Sequence, residues 1–268
     1  MNFSLNEEQL ALQETVRKFA QKELPGIAKK IESKDESVDK TILKKYADLG
    51  LLGVNLPKEY GGGEMRHIEA VLVLEEIAKI SIAVAFPIFE SSFGPALAIS
   101  NFAPKELKKR ILPQVCSGDI VIAVSMTEPD AGTDLQGIKT YAKSAGDHYV
   151  INGSKMWITN GPDADIFVVY AKTDLNAGSR GITAFIVDGS TPGFKRAPKL
   201  DKLGMRGSNT CELVFDNCPV PIGNLLSDEG LGYHIALSVL TTSRVSIAAQ
   251  CVGLARGAFE AAMSYALQ

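Results

Sequence analysis

The chain has 268 residues, of which 46% are hydrophobic, 22% charged and 7% aromatic, and its formal net charge is −3. This length suits two or more domains, and the composition is that of a soluble protein whose core forms without disulfides or metals. The slight acidic balance, with no face obviously biased to Lys and Arg, argues against a nucleic-acid-binding protein.

The four cysteines, Cys116, Cys211, Cys218 and Cys251, are scattered along the chain. They form no CxxC pair and no set with a nearby histidine, which predicts reduced, mostly packed thiols rather than a zinc site. The N-terminal MNFSLNEEQL resembles neither a signal peptide nor a basic transit segment. No apolar run approaches the roughly 18–20 residues that span a bilayer. We therefore expect a soluble, cytoplasmic protein.

The chain is predicted to be helical up to Gly118. Ser4 and Glu7 have the spacing of a capping box, and apolar residues then recur at helical intervals. Further helices are predicted at 42–49, 67–78 and 82–99. Pro104 stands where a proline opens a helix, which is expected to end near 113–118.

Strands are predicted from Ile120 to about Phe215, where apolar runs alternate with Gly, Asn and Asp turns in an antiparallel pattern. Asn152-Gly153 lies between two apolar runs and predicts a hairpin turn, because both residues tolerate positive φ. Segments 166–170 and 182–187 are continuously apolar, which is typical of strands buried on both faces.

Helical periodicity returns at Gly230 and continues to Gln268. Ala248, Gly253 and Gly257 would let another helix approach closely, and no C-cap glycine or proline follows. So apolar a helix needs partners that the sequence does not contain. We interpret the chain as a fragment of a longer protein; the alternative is a naturally short chain that borrows the other half from a partner.

A polar loop is predicted after the first strand, in AVSMTEPDAGTDLQG (123–137). Its hydroxyl and backbone N–H groups are donors that a phosphate or the edge of a flavin requires. Taken alone, such a loop is more often a capped surface turn. No GxGxxG occurs in a strand–turn–helix context, which argues against a Rossmann-type domain, so that FAD, if bound here, would bind on a β domain.

Two motifs, TEPDAGTD (127–134) and INGSKMWITNG (151–161), resemble the signature of the acyl-CoA dehydrogenase family. Segments 56–63, 203–221 and 244–259 are also similar, in the same order, so the resemblance covers the whole chain. It implies an α+β fold with three parts. These are an N-terminal all-α domain (1–118), a middle antiparallel β domain with the flavin-binding motif (119–228) and the truncated start of a C-terminal helical domain (229–268).

The resemblance also implies a cofactor, FAD, and a homotetramer. Thr127 would hydrogen-bond the isoalloxazine, and the Thr159 hydroxyl would lie near N5. The implied cofactor-binding residues are Val124, Met126, Thr127, Gly132, Thr133, Trp157, Ile158 and Thr159, and the implied substrate contacts are Thr133, Thr241, Ser243 and Arg244. Without the family, Trp157 would be interpreted as core packing and Arg244 as a partly buried arginine paired with an unseen carboxylate.

The implied reaction is FAD-dependent α,β-dehydrogenation of an acyl-CoA to the trans-2-enoyl-CoA, with electrons passing to an electron-transfer flavoprotein. Most of the family carry the catalytic glutamate in the C-terminal domain; a minority carry it at the position of Ser243. We therefore assign no catalytic residue. Glu90 matches a pocket-floor position and is a candidate, although an exposed helix carboxylate is the simpler interpretation. The alternative functions are an acyl-CoA oxidase on the same fold and a non-catalytic acyl-CoA- and FAD-binding subunit.

Overall fold

A computed structural model describes residues 4–268. Its first part is helical, as predicted. The α-helices before the sheet are α1 (Glu7–Lys34), α2 (Lys40–Asp48), α3 (His67–Ala78), α4 (Ile82–Ser92), α5 (Pro95–Phe102) and α6 (Lys105–Cys116). The strands are β1 (Ile122–Ser125), β2 (Tyr141–Ser144), β3 (His148–Thr159), β4 (Ile166–Lys172), β5 (Ile182–Asp188), β6 (Phe194–Arg196) and β7 (Thr210–Pro221). One long helix, α7 (Gly232–Ala266), follows them.

Helix α1 has a capping box, but not the predicted one. The Asn6 side chain accepts a hydrogen bond from the Gln9 N–H at 2.8 Å, and Gln9 Oε1 accepts one from the Asn6 N–H at 3.0 Å. Asparagine caps a helix as well as serine does, and glutamine closes the box from the third helical position. The prediction of Ser4 and Glu7 as the box was therefore wrong by two residues.

The helix predicted at 82–99 is two helices. Gly94 is the N-cap of α5, and Pro95 occupies its first turn, where the missing N–H costs nothing. Pro104 is the N-cap of α6, while Pro113 lies inside that helix. The boundary signals were therefore present in the sequence, but apolar periodicity runs across Gly94.

The strands form one sheet in the order β1-β4-β2-β3-β7-β6, and β5 also pairs with β4. The β2–β3, β3–β7, β4–β5 and β6–β7 pairs are antiparallel, as predicted. However, β1 pairs with β4 in parallel, with Ile122 opposite Ile166. A parallel pair needs a long crossover, which here consists of the predicted polar loop followed by the antiparallel β2–β3 pair. The sheet is therefore mixed rather than antiparallel throughout.

The predicted Asn152-Gly153 hairpin was wrong, because β3 runs unbroken through both residues. Its register against β7 shifts between Ile151 and Gly153, which is a β-bulge. Gly153 has φ +143°, and a Cβ there would lie 2.7 Å from the Cα of Thr140. The glycine is therefore needed for a bulge and a close strand crossing, and not for a turn.

Two apolar layers cover the sheet. Strand β4, predicted to be buried on both faces, is buried along residues 166–171. On one face, side chains such as Val168 and Tyr170 pack with α5, α6 and the start of α7. On the other face, Phe167 and Val169 pack among residues of β3, β5 and β7. The sheet is thus held against the helices through β4 and β5.

Helix α7 packs closely on α3. A Cβ at Gly253 would lie 2.3 Å from the carbonyl oxygen of Glu75, and one at Gly257 would lie 2.2 Å from that of Lys79. The predicted close helix approach at these glycines is therefore confirmed, although its partner lies within the chain. Ala248, expected on the same face, is exposed.

We expect Gly257→Ala to lower the free energy of unfolding by about 1–3 kcal/mol, because the added methyl group would push α7 away from α3. The matched control is Gly26→Ala in α1, where a Cβ would meet nothing within 4 Å. That change should raise the stability by up to about 1 kcal/mol through helix propensity alone. Urea unfolding followed by circular dichroism measures both. Stabilisation by both changes would show that the two helices are not this close.

Two helical stretches, Ile82–Phe102 and Gly232–Ala266, are long and apolar enough to cross a bilayer by length and composition. The expectation that no apolar run approaches that length was therefore wrong. In its most apolar window the first stretch is 78% buried and the second is 39% buried. Core helices of soluble proteins pass the same test, so these stretches are weak evidence for a membrane span.

All four cysteines are free thiols. Cys116, Cys211 and Cys218 are buried, and burial raises the pKa of each thiol to about 11. Cys251 is exposed on α7. Within residues 4–268, no group of three or more His, Cys, Asp or Glu side chains is placed to hold a metal ion.

Candidate functional site

A tight loop follows β1. The Glu128 N–H donates to the Ala131 carbonyl at 2.8 Å and the Ala131 N–H to the Glu128 carbonyl at 3.2 Å, which closes a turn over two exposed residues. Downstream, the Asp134 side chain accepts from the Gln136 N–H at 3.2 Å and caps a short 3₁₀ turn. Between these two turns Gly132 and Thr133 are exposed, so this part of the loop faces outward.

Strand β3 bulges next to this loop. Lys155 pairs with Leu213 and Ile158 with Cys211, so three steps along β3 oppose two along β7. Within the bulge Trp157 has φ +62°, which is a rare conformation for an aromatic residue. Its side chain is 60% exposed, whereas that of Ile158 is buried in the sheet. The interpretation of Trp157 as core packing was therefore wrong, because the bulge turns its indole outward.

The loop and the bulge are joined by a row of hydrogen bonds. The Met156 N–H donates to the Thr127 carbonyl at 2.8 Å. The ammonium group of Lys155 donates to the Met126 carbonyl and to Glu128 Oε1, both at 2.9 Å. The site elements expected from the two sequence motifs are therefore adjacent in space.

The charges in this junction are buried. The side chain of Lys155 is 0% exposed and that of Glu128 is 6% exposed. Burial lowers the pKa of Lys155 to about 8, against the opposing attraction of Glu128. Burial alone would raise the pKa of Glu128, but the charge of Lys155 and the hydrogen bonds from Thr140 and Lys139 outweigh it and hold that pKa below its usual value. Ionised Glu128 is thus satisfied by donors on three sides.

Several polar groups around the bulge remain open to a ligand. Across residues 4–268, the hydroxyl groups of Thr127, Thr133 and Thr159 have no hydrogen-bond partner. Thr127 and Thr159 are half-buried, and Trp157 presents an exposed aromatic face beside them. Val124 and Met126 are half-buried and pack against the helical side of the core. An exposed aromatic side chain, with unpaired hydroxyl groups on the same strand and on the adjoining loop, fits a planar, heteroatom-rich ring such as a flavin.

Three of the four predicted substrate residues, Thr241, Ser243 and Arg244, lie on one turn of α7, whereas Thr133 lies on the loop after β1. The Thr241 hydroxyl donates to the Leu237 carbonyl at 2.8 Å, and that of Ser243 to the Leu240 carbonyl at 3.2 Å. Ser243 is buried and Arg244 is exposed. The exposure of Arg244 contradicts its interpretation as partly buried, and within residues 4–268 no carboxylate forms an ion pair with it. Its pairing with an unseen carboxylate stays a prediction. Its guanidinium is available to an anionic ligand. No hydrogen bond between described residues joins this turn to the loop after β1.

Glu90 is buried rather than exposed, which overturns the simpler interpretation of this residue. It is 4% exposed, and within residues 4–268 its Oε2 has no hydrogen-bond partner. The residue lines a cavity of ≈ 60 Å³ that also touches Phe86, Ile122 and Asn160. Burial raises the pKa of the carboxyl group to about 8. At neutral pH the group is therefore held mainly in its neutral, protonated form.

The sequence pattern gave no role to Lys155, and Glu128 was only one member of a polar loop. A usable signal was present, however. Lys155 directly precedes the apolar Met156 in a strand, and a lysine buried there must find a partner because an isolated charge is too costly to bury. The nearest carboxylate of the two motifs in the fold is Glu128.

Comparison with known proteins gives matches along the chain. The family model "Acyl-CoA dehydrogenase, N-terminal domain" matches residues 6–119, and "Acyl-CoA dehydrogenase, middle domain" matches residues 123–218. The mitochondrial isovaleryl-CoA dehydrogenase of Pongo abelii is 43% identical over 272 residues. That alignment covers 97% of this chain and 62% of the relative.

Two solved structures show the same architecture. Butyryl-CoA dehydrogenase from Megasphaera elsdenii is 36% identical with a TM-score of 0.93, covering 99% of this chain and 70% of that one. A glutaryl-CoA dehydrogenase from Mycobacterium smegmatis in complex with FADH2 is 30% identical with a TM-score of 0.88, covering 97% of this chain and 66% of that one. The chain thus spans between 62% and 70% of the length of these three relatives.

Proposed function

Because the chain belongs to the acyl-CoA dehydrogenase family, we propose that it supplies the flavin-facing part of an enzyme that desaturates an acyl-CoA thioester to the trans-2-enoyl-CoA. The observation that supports this most directly is the outward-facing Trp157 on its bulge, which is tied to the Thr127 loop, together with the Thr127 and Thr159 hydroxyl groups that are unpaired within residues 4–268. A chain kept only for assembly would have no need of this arrangement.

The residues around the bulge would hold FAD. Thr127 would donate its hydroxyl to the edge of the isoalloxazine, Trp157 would cover the ring and exclude water, and Thr159 would stand near N5. Bound FAD would supply the acceptor for the hydrogen that leaves the β carbon with its electron pair. Thr133 lies on the outer part of the loop and would contact the cofactor or the CoA moiety.

Substrate binding would involve α7. Among residues 4–268 the Arg244 guanidinium has no ion-pair partner, which suits the CoA phosphates or the polarised thioester, and Thr241 lies three residues earlier on the same helix. The base that removes the α proton must come within about 3 Å of it. Ser243 cannot serve, so we place the base outside the residues of this chain.

The remaining parts of the proposal rest on the family. We propose a homotetramer, an electron-transfer flavoprotein as the electron acceptor, and a short or branched acyl-CoA as the substrate. Isovaleryl-CoA and butyryl-CoA are the natural probes, because they are the substrates in the names of similar proteins.

The test is the absorbance spectrum of the purified chain, titrated with FAD and then with isovaleryl-CoA or butyryl-CoA under anaerobic conditions. We expect saturable binding that perturbs the flavin bands, with the bands staying oxidised when the thioester is added. Bleaching by the thioester would mean that a base lies within the chain, and Glu90→Gln would then be the first variant to test.

Two further results would redirect the proposal. No perturbation of the flavin bands at any FAD concentration would contradict the flavin-facing role. If the bands bleach, rapid oxygen consumption on admitting air would indicate an acyl-CoA oxidase, because a dehydrogenase passes its electrons to a protein acceptor. FAD and acyl-CoA binding without turnover, even with the helices that complete related enzymes, would favour the non-catalytic subunit.

A further inference from the structure

The buried pair formed by Glu128 and Lys155 is not explained by stability alone. Taking two charges out of water is expensive, and replacing such a pair by apolar residues of similar size is often neutral or stabilising. The pair nevertheless lies wholly inside the β layer, with Nζ and Oε1 2.9 Å apart. The pair therefore contributes something other than stability, and its contacts indicate what it holds in place.

The contacts of the pair hold Thr127 from both sides. Lys155 donates to the carbonyl of Met126, the residue before Thr127, and to the carboxylate of Glu128, the residue after it. The carbonyl of Thr127 itself accepts from the Met156 N–H. Three consecutive loop residues are therefore tied to two consecutive residues of β3, and the loop cannot slide along the strand.

The other end of the same connection is the strained Trp157. A non-glycine residue at positive φ costs of the order of 1–3 kcal/mol and persists only where its surroundings determine it. Lys155 and Met156 are the two residues that precede Trp157 in the bulge. Because Lys155 and Met156 are hydrogen-bonded to the loop, the backbone position of Trp157 is also fixed relative to the loop.

The carboxylate of Glu128 extends the brace to a third segment. It accepts from the Lys139 N–H at 2.6 Å and from the Thr140 N–H at 3.0 Å. Thr140 in turn donates its hydroxyl to the Ser154 carbonyl at 3.2 Å, beside Lys155. The loop, the approach to β2 and the bulge of β3 are therefore linked through one carboxylate.

We propose that Glu128 and Lys155 are positioning residues that set the placement of Thr127 relative to Trp157. Neither touches a ligand in this role. The consequence for FAD affinity rests on the proposed function, whereas the consequence for the bulge does not.

The test compares Glu128→Gln, Lys155→Met and the double variant Glu128→Leu/Lys155→Met with the unchanged chain. Trp157 is the only tryptophan, so its fluorescence anisotropy reports on the bulge without any cofactor. We expect the double variant to stay folded in the absence of urea, although leucine at position 128 removes the acceptor of the Lys139 and Thr140 N–H groups and lowers its stability. Its Trp157 anisotropy should nevertheless fall, and its Kd for FAD should rise about tenfold, equivalent to about 1.4 kcal/mol.

The control is Glu76→Gln, which removes another buried, cation-bound carboxylate in the helical part of the chain. It should lower the stability without changing the Trp157 anisotropy. If the double variant does not fold, Glu128→Gln carries the comparison, because glutamine keeps the size and part of the hydrogen bonding of glutamate.

The outcomes separate the two proposals. Unchanged Trp157 anisotropy in the folded variants would overturn the positioning role, whatever happens to FAD. If the unchanged chain binds no FAD but the anisotropy falls in the variants, the positioning role stands and the proposed function fails. An anisotropy loss of equal size in Glu76→Gln would reduce the effect to general loosening of the fold and would also overturn the positioning role.

Discussion

Replacing Glu76 by alanine is expected to lower the free energy of unfolding by about 3 kcal/mol, because it removes the centre of a buried ionic cluster. The Glu76 side chain on α3 is 0% exposed. It accepts from Arg17 Nε at 3.2 Å and Nη2 at 3.0 Å, both from α1, and from Arg256 Nη1 at 3.2 Å, from α7. One carboxylate thus connects three helices that are far apart in the sequence.

The matched control for this prediction is Glu14→Ala. Glu14 also pairs with Arg17, at 3.1 Å, but half of its side chain is exposed. Exposed pairs contribute about 0.2–1 kcal/mol, so the control should cost little. Urea unfolding followed by circular dichroism measures both variants, and equal losses would show that Glu76 is not the centre of the cluster.

The same cluster should make the fold sensitive to acid. Burial alone would raise the pKa of Glu76, but hydrogen bonds and attraction from Arg17 and Arg256 outweigh it and hold the pKa below its ordinary value. A depressed carboxyl pKa contributes stability that is complete above the unfolded value and is lost as the pH falls through the folded value. Glu76→Ala should therefore differ most from the unchanged chain at neutral pH and least in acid.

Glu90→Gln is expected to show the opposite pH dependence, because its stability relative to the unchanged chain should increase with pH. Burial raises the pKa of Glu90 to about 8, so between the unfolded value and that value the folded chain holds a proton that the unfolded chain has released. Stability then falls with rising pH, at a rate of up to about 1.4 kcal/mol per pH unit. Glutamine cannot titrate. The free energy of unfolding of the variant should therefore rise by about 3 kcal/mol relative to that of the unchanged chain between about pH 5 and 8.

The measurement is the free energy of unfolding at several pH values in that interval. Ser91→Ala is the control, since Ser91 lines the same cavity but does not ionise. Its difference from the unchanged chain should not vary with pH. Parallel pH profiles for Glu90→Gln and the unchanged chain would mean that the carboxyl finds a partner or water that keeps it ionised.

Much of the fold could be predicted from local patterns. Apolar periodicity located most of the helices, and continuous apolar runs located β4 and β5, because each element buries one face or both. The family resemblance was confirmed, and with it the acyl-CoA dehydrogenase fold. The boundaries at 118 and 228 and the roles of the site residues stay predictions.

The errors share a physical cause. Pairing between segments that are distant in sequence cannot be inferred from any short stretch of residues. Asn152-Gly153 has the chemistry of a hairpin turn and of a bulge alike, and only the register against β7 decides between them. Trp157 is apolar, so its type favours burial, but the same bulge turns it outward. Glu90 is the only charged residue of α4 and α5, yet its burial depends on the sheet and on the segment before α2.

The parallel pairing of β1 also has a consequence for the order in which the chain assembles. Ile122 pairs with Ile166, and the segment between them contains the β2–β3 ribbon. Contacts so far apart in sequence form only after the intervening loop has been closed, whereas β4 and β5 meet across a short connection. The loop that carries Thr127 directly follows β1. We therefore expect it to reach its final position late, after most of the sheet has formed. A ligand that binds to that loop would then stabilise the product of the last folding step, and with it the pairing of β1 with β4.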